Sequence, residues 1–187
     1  MKIGIISDIH CQHRALAMAI EAMGPIDRLL CLGDGIDQTR FCNHTIGMLR
    51  KHDAHAILGN HEEAFFAGPG RHSPSVDPDL AEWLSARPQS LEITSNGHTL
   101  LAVHSTPWNS NHAYVPPSDP RFSRFAQDRY DIIVYGHTHQ PVVRQIGPTL
   151  VVNPGSVGEG RPTPNGFIRS CAVVDLINLS AKLIDID

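Results

Sequence analysis

The first half of the chain alternates between short apolar runs and segments whose apolar residues recur at helical spacing. The run around Ile5 predicts a buried strand, whereas Leu16, Ala19 and Ile20 fall on one face of a helix that Gly24-Pro25 ends. The predicted elements of this half are strands over Lys2–Ser7, Arg28–Leu32 and Ala54–Leu58, helices over Gln12–Met23, Phe41–Lys51 and Pro78–Ala86, and a loop over Gly68–Pro78.

The second half is predicted to be mostly strand. Asn96-Gly97 between two apolar runs predicts a hairpin of Leu91–Thr94 and Thr99–Val103. The loop Thr106–Pro120 and a modest helix, Pro120–Asp128, precede the remaining strands, which are Ile132–Tyr135, Val142–Ile146, Leu150–Val152, Phe167–Asp175 and Ala181–Ile186. This order favours an α/β sandwich of two sheets over a doubly wound nucleotide-binding fold. A length of 187 residues suits a single domain over residues 1–187.

Polar residues follow five of the predicted strands at the point where each strand ends. In chain order they are Asp8 and His10, Gly33-Asp34, Gly59-Asn60-His61-Glu62, His104, and Gly136-His137-Thr138-His139. Because the carboxyl ends of neighbouring strands open onto one crevice, we expect these side chains to converge. Taken singly, Gly33-Asp34 is explained by a turn, Asn60-His61 by a turn with a helix cap, and His104 by a half-buried histidine. Their recurrence at five strand ends favours a shared site.

Two carboxylates at one edge repel each other unless a positive charge compensates them. None of the five motifs contains lysine or arginine, so bound metal is the economical source of that charge. Oxygen and nitrogen ligands without thiolate suit manganese, which we take as the first choice, or iron, zinc or nickel. Eight candidate groups are too many for one ion, and the sequence therefore predicts two divalent metal ions.

Composition narrows the function classes. Hydrophobic residues make up 41% of the chain and charged residues 18%, which is typical of a globular protein, and the net charge of −4 argues against a dedicated nucleic-acid or membrane-surface binder. The longest apolar run, Ala15–Ile20, is too short to span a membrane. The N-terminal apolar stretch is too short for a secretory signal. The four cysteines form no Cys-x-x-Cys pair, so we expect reduced thiols and a cytoplasmic location.

The twelve histidines are unusual beside three lysines. Five of them belong to the strand-end motifs. Of the other seven, His112 alone is kept as a candidate substrate contact, since it lies in the loop after His104. The rest are expected at the solvated surface.

The five motifs together resemble the signature of the calcineurin-like metallophosphoesterases, especially their small bacterial and archaeal phosphodiesterase branch. The segment 153–158, Asn-Pro-Gly-Ser-Val-Gly, is similar to a turn of that branch. The resemblance implies a four-layer α/β/β/α sandwich of two mixed sheets with a dimetal site at the sheet edge. It also implies the ligands, which are Asp8, His10, Asp34 and His139 for the first metal and Asp34, Asn60, His104 and His137 for the second, so that Asp34 bridges.

The activity implied by the resemblance is hydrolysis of a small phosphate ester, in the first place a diester. A metal-bridging hydroxide would attack phosphorus and His61 would protonate the leaving oxygen. Asn60, His61 and His112 would contact the substrate. Asp37 would orient His61 unless it is a surface carboxylate, and Glu62 would fix local structure.

Two departures from the family pattern bear on the alternatives. Ser105 follows the lone histidine where glycine is frequent, so the loop after it is expected to shape a substrate pocket of its own. Gln38 follows Asp37 where the protein-phosphatase branch has arginine, which disfavours phosphoproteins. A phosphomonoesterase or protein-phosphatase-like activity and a non-catalytic metal-binding scaffold remain the alternatives. A nuclease is disfavoured because the sequence shows no basic groove. The sequence does not predict the oligomeric state.

Overall fold

Two mixed β-sheets stack face to face in the computed structural model, which describes residues 1–108, 111–127, 129–164 and 166–186. The helices are α1 (His13–Met23), α2 (Asn43–Lys51), α3 (Asn60–Ala67) and α4 (Pro78–Ser85), with 3₁₀ helices over Pro69–His72 and Pro120–Phe125. The strands are β1 (Lys2–Ile6), β2 (Arg28–Cys31), β3 (His55–Ala56), β4 (Ser90–Ser95), β5 (His98–Val103), β6 (Ile132–Tyr135), β7 (Val142–Ile146), β8 (Thr149–Asn153), β9 (Arg161–Thr163), β10 (Gly166–Asp175) and β11 (Ser180–Ile186).

The first sheet has the strand order β11-β10-β1-β2-β3, and β9 pairs with β10. The strands β1, β2 and β3 run parallel, so their carboxyl ends lie at the same edge. The strand β10 runs antiparallel to β1, with Ala172 opposite Ile5, and β11 returns antiparallel to β10. The chain's last two strands therefore close the side of the sheet away from β3.

The second sheet has the order β4-β5-β6-β8-β7. Its three inner strands, β5, β6 and β8, run parallel, and β4 and β7 flank them in the antiparallel sense. Both sheets thus contain a parallel set of three strands, which is the arrangement that collects strand ends along one edge.

Apolar residues fill three layers of contact. Between the sheets, Leu30 and Ile5 of the first belong to one buried cluster with Ile132 and Val134 of the second. A second cluster joins the outer face of the first sheet to the helices, through residues such as Leu16 of α1. A third covers the outer face of the second sheet and is built around the 3₁₀ helix Pro120–Phe125 and the loop before it; its members include Val115, Phe122, Phe125 and Tyr135.

The predicted α/β class and two-sheet sandwich are confirmed. The fourth layer differs from the expected helix over Pro120–Asp128, since it is a 3₁₀ helix that ends at Phe125, and Asp128 lies outside the described residues. Three short elements differ from the prediction: α3 directly after β3, the 3₁₀ helix Pro69–His72 within the predicted loop Gly68–Pro78, and the strand β9. None of the helices in the described part of the chain has the length and apolar content needed to cross a membrane.

The prediction of four reduced cysteines is wrong for one pair. Cys11, in the loop after β1, forms a disulfide with Cys42, which precedes α2, and their Cα atoms lie 5.4 Å apart. The fold brings together two residues separated by 31 positions, which the absence of a local cysteine motif could not reveal. Cys31 and Cys171 are free, as expected, and both are buried. The cytoplasmic location, which was argued partly from reduced thiols, stays a prediction.

Candidate metal centre

The side chains that follow β1, β2, β3, β5 and β6 meet at one edge of the sandwich. Three overlapping groups have ligand atoms within 4.8 Å of one another, and they are Asp8/His10/His139, His10/Asp34/His61 and Asp34/His104/His137. Both sheets contribute to this edge, since Asp8 and Asp34 follow strands of the first sheet and His104 and His137 follow strands of the second. The cluster is therefore assembled where the two parallel sets of strands end together.

The backbone aims several of these side chains by leaving the ordinary right-handed region. Asp8, His10, Asp34, His137 and His139 all have φ between 45° and 64°. Such left-handed conformations cost roughly 1–2 kcal/mol in residues other than glycine, so the surrounding structure must hold them. Hydrogen bonds between the loops do so: Asp8 N–H donates to Gly33 O at 3.1 Å, and His10 N–H donates to Asp34 O at 3.0 Å.

The first ligand group consists of Asp8, His10 and His139. His139 Nε2 lies 3.2 Å from Asp8 Oδ1 and 3.3 Å from His10 Nε2, so the three atoms surround one point. The other oxygen of Asp8 accepts the His137 backbone N–H at 3.0 Å, which fixes the plane of the carboxylate. Asp8 is fully buried. A buried carboxylate facing two imidazoles is a donor set that suits a divalent cation.

The second ligand group consists of Asp34, Asn60, His104 and His137. His104 Nδ1 donates to Leu32 O at 2.7 Å, so Nε2 is the nitrogen that presents a lone pair when the ring gives up its second proton, as metal binding requires. That Nε2 lies 2.9 Å from Asn60 Oδ1 and 3.4 Å from Asp34 Oδ2. Three acceptor atoms at these distances repel one another unless a proton or a cation lies between them. The residues present therefore fit a metal ion, by the chemistry of their donors.

Asp34 lies between the two groups. It shares one cluster with His10 and His61 and another with His104 and His137. Its Oδ1 accepts the His61 backbone N–H at 2.9 Å, and Oδ2 faces His104. Although burial opposes its ionisation, hydrogen bonds and the charge of His104 hold the pKa of Asp34 below its usual range. The central residue of the cluster is thus an ionised carboxylate.

Three histidines of the cluster differ in their protonation near pH 7. Burial lowers the pKa of His104, but its hydrogen bonds to Asp34 and Leu32 and the charges of Asp34 and Asp8 together outweigh burial and raise the value to about 9. Burial and the neighbouring charge of His104 lower the pKa of His137 to about 4, and burial also lowers the pKa of His10. His10 and His137 are consequently neutral near pH 7, and a neutral imidazole is the form that ligates a metal.

Glu62 holds together the two loops that carry the candidate ligands Asp34 and Asn60, in agreement with the structural role predicted for it. This residue is fully buried in α3 and its two oxygens accept four backbone N–H groups. The donors are Asp34 at 2.8 Å, Gly35 at 2.7 Å, Ile36 at 3.2 Å and Gly59 at 2.8 Å. One carboxylate therefore fixes the loop after β2 against the start of α3, and with it the relative positions of Asp34 and Asn60.

His61 is partly exposed at the rim of the cluster. Its Nδ1 accepts the Gln38 backbone N–H at 3.2 Å, and its ring lies 4.7 Å from that of His10. Because Nδ1 is an acceptor here, the neutral ring carries its proton on Nε2, which lies 3.9 Å from Asp34 Oδ2. The proton of His61 therefore faces the candidate metal centre.

The structure corrects the partner predicted for Asp37. Its carboxylate pairs with Arg40 at 2.6 Å and lies 3.6 Å from His10 Nδ1, whereas the described partner of His61 Nδ1 is the Gln38 backbone. Asp37 is thus held by Arg40 and faces His10 at a distance too long for a hydrogen bond. The physical reason is the turn over residues 37–40, which directs the peptide N–H of Gln38, not the carboxylate, toward His61.

His112 also lies at this edge. Its ring is 5.7 Å from the ring of His104 and 6.1 Å from that of His137, and Nε2 lies 2.9 Å from Glu63 Oε2. Two further neighbours of the cluster were not predicted: Glu159 Oε2 lies 3.3 Å from His139 Nδ1, and the Tyr114 ring lies 5.6 Å from that of His137. Both stand in segments whose sequence marks a turn or a loop, so only the fold reveals their position.

Comparison with known proteins agrees with this arrangement. A family model described as the calcineurin-like phosphoesterase superfamily domain matches residues 1–178. No functionally curated protein is significantly similar to the chain.

Solved structures share the fold. A hypothetical protein of Pyrococcus horikoshii is 18% identical with a TM-score of 0.79, and a metallophosphoesterase of Sphaerobacter thermophilus is 18% identical with a TM-score of 0.76; each alignment covers 100% of this chain and 88% of the other. A novel archaeal phosphodiesterase is 20% identical with a TM-score of 0.63, and the alignment covers 100% of both chains. At these identities the likeness concerns the fold.

Proposed function

This chain belongs to the calcineurin-like phosphoesterase superfamily, and we propose that it is a phosphodiesterase that works with two divalent metal ions within one domain over residues 1–187. The observation that carries the proposal is the position of Asp34, an ionised and buried carboxylate shared by two groups of ligand atoms. The similarity of the fold to an archaeal phosphodiesterase supports the choice of substrate class.

The ligands of the proposed metals come from both sheets. Asp8, His10, Asp34 and His139 would hold the first ion, and Asp34, Asn60, His104 and His137 the second. When bound, two such ions supply the Lewis acidity and the nucleophilic hydroxide needed for in-line attack on phosphorus. Manganese is our first choice because three of the seven ligand residues are oxygen donors, one of them shared by both ions, and none is a thiolate, with iron, zinc or nickel as alternatives.

His61 would act as the general acid. The backbone N–H of Gln38 occupies Nδ1, so the proton that can be donated sits on Nε2 and faces the cluster. Partial exposure of the ring leaves room for a leaving oxygen beside it. Asn60 would contribute a second contact, since its Oδ1 faces His104 and its N–H₂ group is a donor that phosphate oxygens can accept. We expect His112 to line the opposite side of the substrate.

A diester suits the charges at the rim better than a monoester. Three carboxylates surround the cluster, and they belong to Asp37 beside His10, Glu63 beside His112 and Glu159 beside His139. A phosphodiester carries one negative charge, whereas a monoester carries nearly two at neutral pH. The singly charged diester meets less repulsion on its way to the site.

The test combines metal replacement with one substitution. Protein stripped with a chelator is assayed on bis-p-nitrophenyl phosphate with and without added Mn²⁺, and metal content is measured by mass spectrometry. We expect turnover to return with two bound ions per chain. His61→Ala should keep both ions but lose roughly 10²–10⁴-fold in kcat, the usual contribution of a general acid.

The matched control is His72→Ala, which removes an exposed histidine outside the cluster and should leave kcat unchanged. Unchanged turnover in His61→Ala contradicts the acid role. Failure of wild-type protein to hydrolyse any diester while two ions are bound contradicts the proposed activity.

A further inference from the structure

A cavity of about 240 Å³ opens beside the second ligand group. We call it the side pocket and define it by His104, which it shares with the ligand group, and by Leu58, Trp108 and His112 around its mouth and walls. Pockets for drug-sized ligands measure roughly 300–1,000 Å³, so this cavity is suited to one substituent instead of a whole diester. Its position places that substituent next to the phosphate site.

The walls of the side pocket are aromatic and aliphatic. Trp108 packs edge to face on Phe125 at a centroid distance of 5.0 Å, and the Arg124 guanidinium lies 4.6 Å from the indole centroid. These contacts join the indole to the buried cluster on the outer face of the second sheet. Leu58, Val103 and Pro107 add apolar surface. A rigid indole in an apolar wall is a surface on which a planar ring stacks favourably.

The charge of the side pocket excludes anionic substituents. Among the described residues that line it there is no lysine or arginine, and Glu63 supplies a carboxylate. That carboxylate accepts a hydrogen bond from Gln89 Nε2 at 3.0 Å and contacts His112 at 2.9 Å. A second phosphate group would meet this carboxylate, whereas the Arg124 guanidinium, which packs over the Trp108 ring, is not among the described residues that line the pocket. Gln89 and Ser90 can hydrogen-bond to the edge of a polar ring.

We propose that the side pocket binds an uncharged, planar aromatic substituent of the phosphodiester, such as a nucleobase or another aryl group. The inference rests on the proposed function for the position of the phosphate and on the side pocket itself for the chemistry of the substituent. It makes Trp108 a specificity-determining residue of the site.

Binding can be tested without catalysis. The chain has two tryptophans, so Trp83→Phe leaves Trp108 as the sole indole reporter. Metal-free Trp83→Phe protein is titrated with adenosine, with phenol, with adenosine 5′-monophosphate and with cyclohexanol while indole fluorescence is followed. We expect saturable quenching by adenosine, at least tenfold weaker binding of the monophosphate, and none by cyclohexanol.

The two aromatic probes separate the possible sources of the ring. Quenching by adenosine alone identifies a nucleobase pocket, and quenching by phenol as well identifies a general aryl pocket. If neither compound gives a saturable change, the proposal is overturned. Because the titration needs neither metal nor turnover, this result is independent of whether the chain hydrolyses diesters.

Kinetics supply the second test. Trp108→Ala should lower the ratio of kcat/KM for bis-p-nitrophenyl phosphate to that for methyl p-nitrophenyl phosphate about tenfold, mainly through KM. Trp83→Ala is a matched control, because Arg87 lies 4.7 Å from the Trp83 ring just as Arg124 covers Trp108. Trp108→Phe keeps an aromatic wall if the alanine variant does not fold, and it should retain most of the preference. An unchanged ratio in folded Trp108→Ala overturns the proposal.

Discussion

The two ends of the parallel strands differ in the residues that adopt left-handed backbone conformations. At the carboxyl end, left-handed backbone conformations belong to buried polar residues such as Asp8 and Asp34. At the amino end, left-handed residues sit in exposed connections such as Asn96-Gly97 and Gly147. A Cβ added at Gly97 would meet nothing within 4 Å. The carboxyl end therefore fixes the positions of buried charged groups, whereas the connections at the amino end only reverse the direction of the chain.

This difference shows that the backbone is more tightly constrained at the carboxyl ends of the parallel strands than at their amino ends. Several strained residues at the carboxyl end are held by a bond from another strand end, as when His10 N–H donates to Asp34 O at 3.0 Å. Comparable conformations at the amino end belong to glycines such as Gly97 and Gly147, which adopt them without a steric cost, or to short polar residues such as Asn96, which tolerate them. Substitutions should consequently lower the free energy of unfolding more at the carboxyl end than at the amino end.

The largest effect is expected for Glu62→Gln. Each Glu62 oxygen accepts two backbone N–H groups, so the amide NH₂ of glutamine must face two donors whichever way it turns. Two buried N–H groups then lack an acceptor, at roughly 1–3 kcal/mol each, and we expect a loss of about 3 kcal/mol in the free energy of unfolding. Urea unfolding followed by circular dichroism measures it.

The neighbouring residue provides the control for that substitution. Glu63 is 36% exposed and bonds to the side chains of Gln89 and His112. Glu63→Gln should cost about 0.5 kcal/mol or less, as expected for an exposed polar contact. Equal losses in the two variants would show that the four N–H bonds of Glu62 do not hold the loops as described.

The sequence predicts the end that carries the candidate ligands because a polar residue directly after an apolar run is a local pattern. The strands before Asp8, Asp34, His104 and His137 could be located from their aliphatic residues, and the parallel arrangement then places their ends at one edge. For this reason the two-sheet α/β fold and the meeting of the ligand side chains follow from the residues alone.

What the sequence did not reveal depends on long-range contacts or on weak periodicity. In α3 only Glu62 and Phe65 are buried, so no apolar stripe marks it as a helix. The bond from His112 to Glu63 joins residues 49 positions apart. Asp37 was expected to orient His61 because of its position in the chain, but the turn at Arg40 directs the carboxylate elsewhere.

A pair of glycines tests the two strand ends at a smaller scale. A Cβ at Gly136 would collide with Ser7 Oγ and lie 2.8 Å from Asp8 Oδ2, whereas one at Gly97 meets open space at a φ of 82°. We expect Gly136→Ala to lower the free energy of unfolding by about 2 kcal/mol through overpacking, and Gly97→Ala by about 1 kcal/mol through backbone strain alone.

Metal content sharpens this second comparison. Gly136→Ala displaces the carboxylate of Asp8 and should also bind less metal, while Gly97→Ala should keep two ions per chain. Equal metal content in the two variants would mean that the close packing at Gly136 does not position Asp8.

The smallest expected effect is on the reactivity of the thiols, and it involves no change in the free energy of unfolding. Cys11 and Cys42 are paired beside His10, and Cys31 and Cys171 are buried, with burial raising the pKa of Cys171 to about 12. A buried thiol with a raised pKa holds little reactive thiolate near neutral pH. Protein purified without reductant should therefore show no thiol accessible to Ellman's reagent when native. Because unfolding exposes Cys31 and Cys171 but leaves the disulfide intact, the protein should show two thiols when unfolded and four after reduction.

Four thiols on unfolding without a reductant would mean that all the cysteines are reduced, as the sequence predicts. The loop after β1 would then owe its position to backbone hydrogen bonds alone, such as the one from Cys11 N–H to Gly35 O.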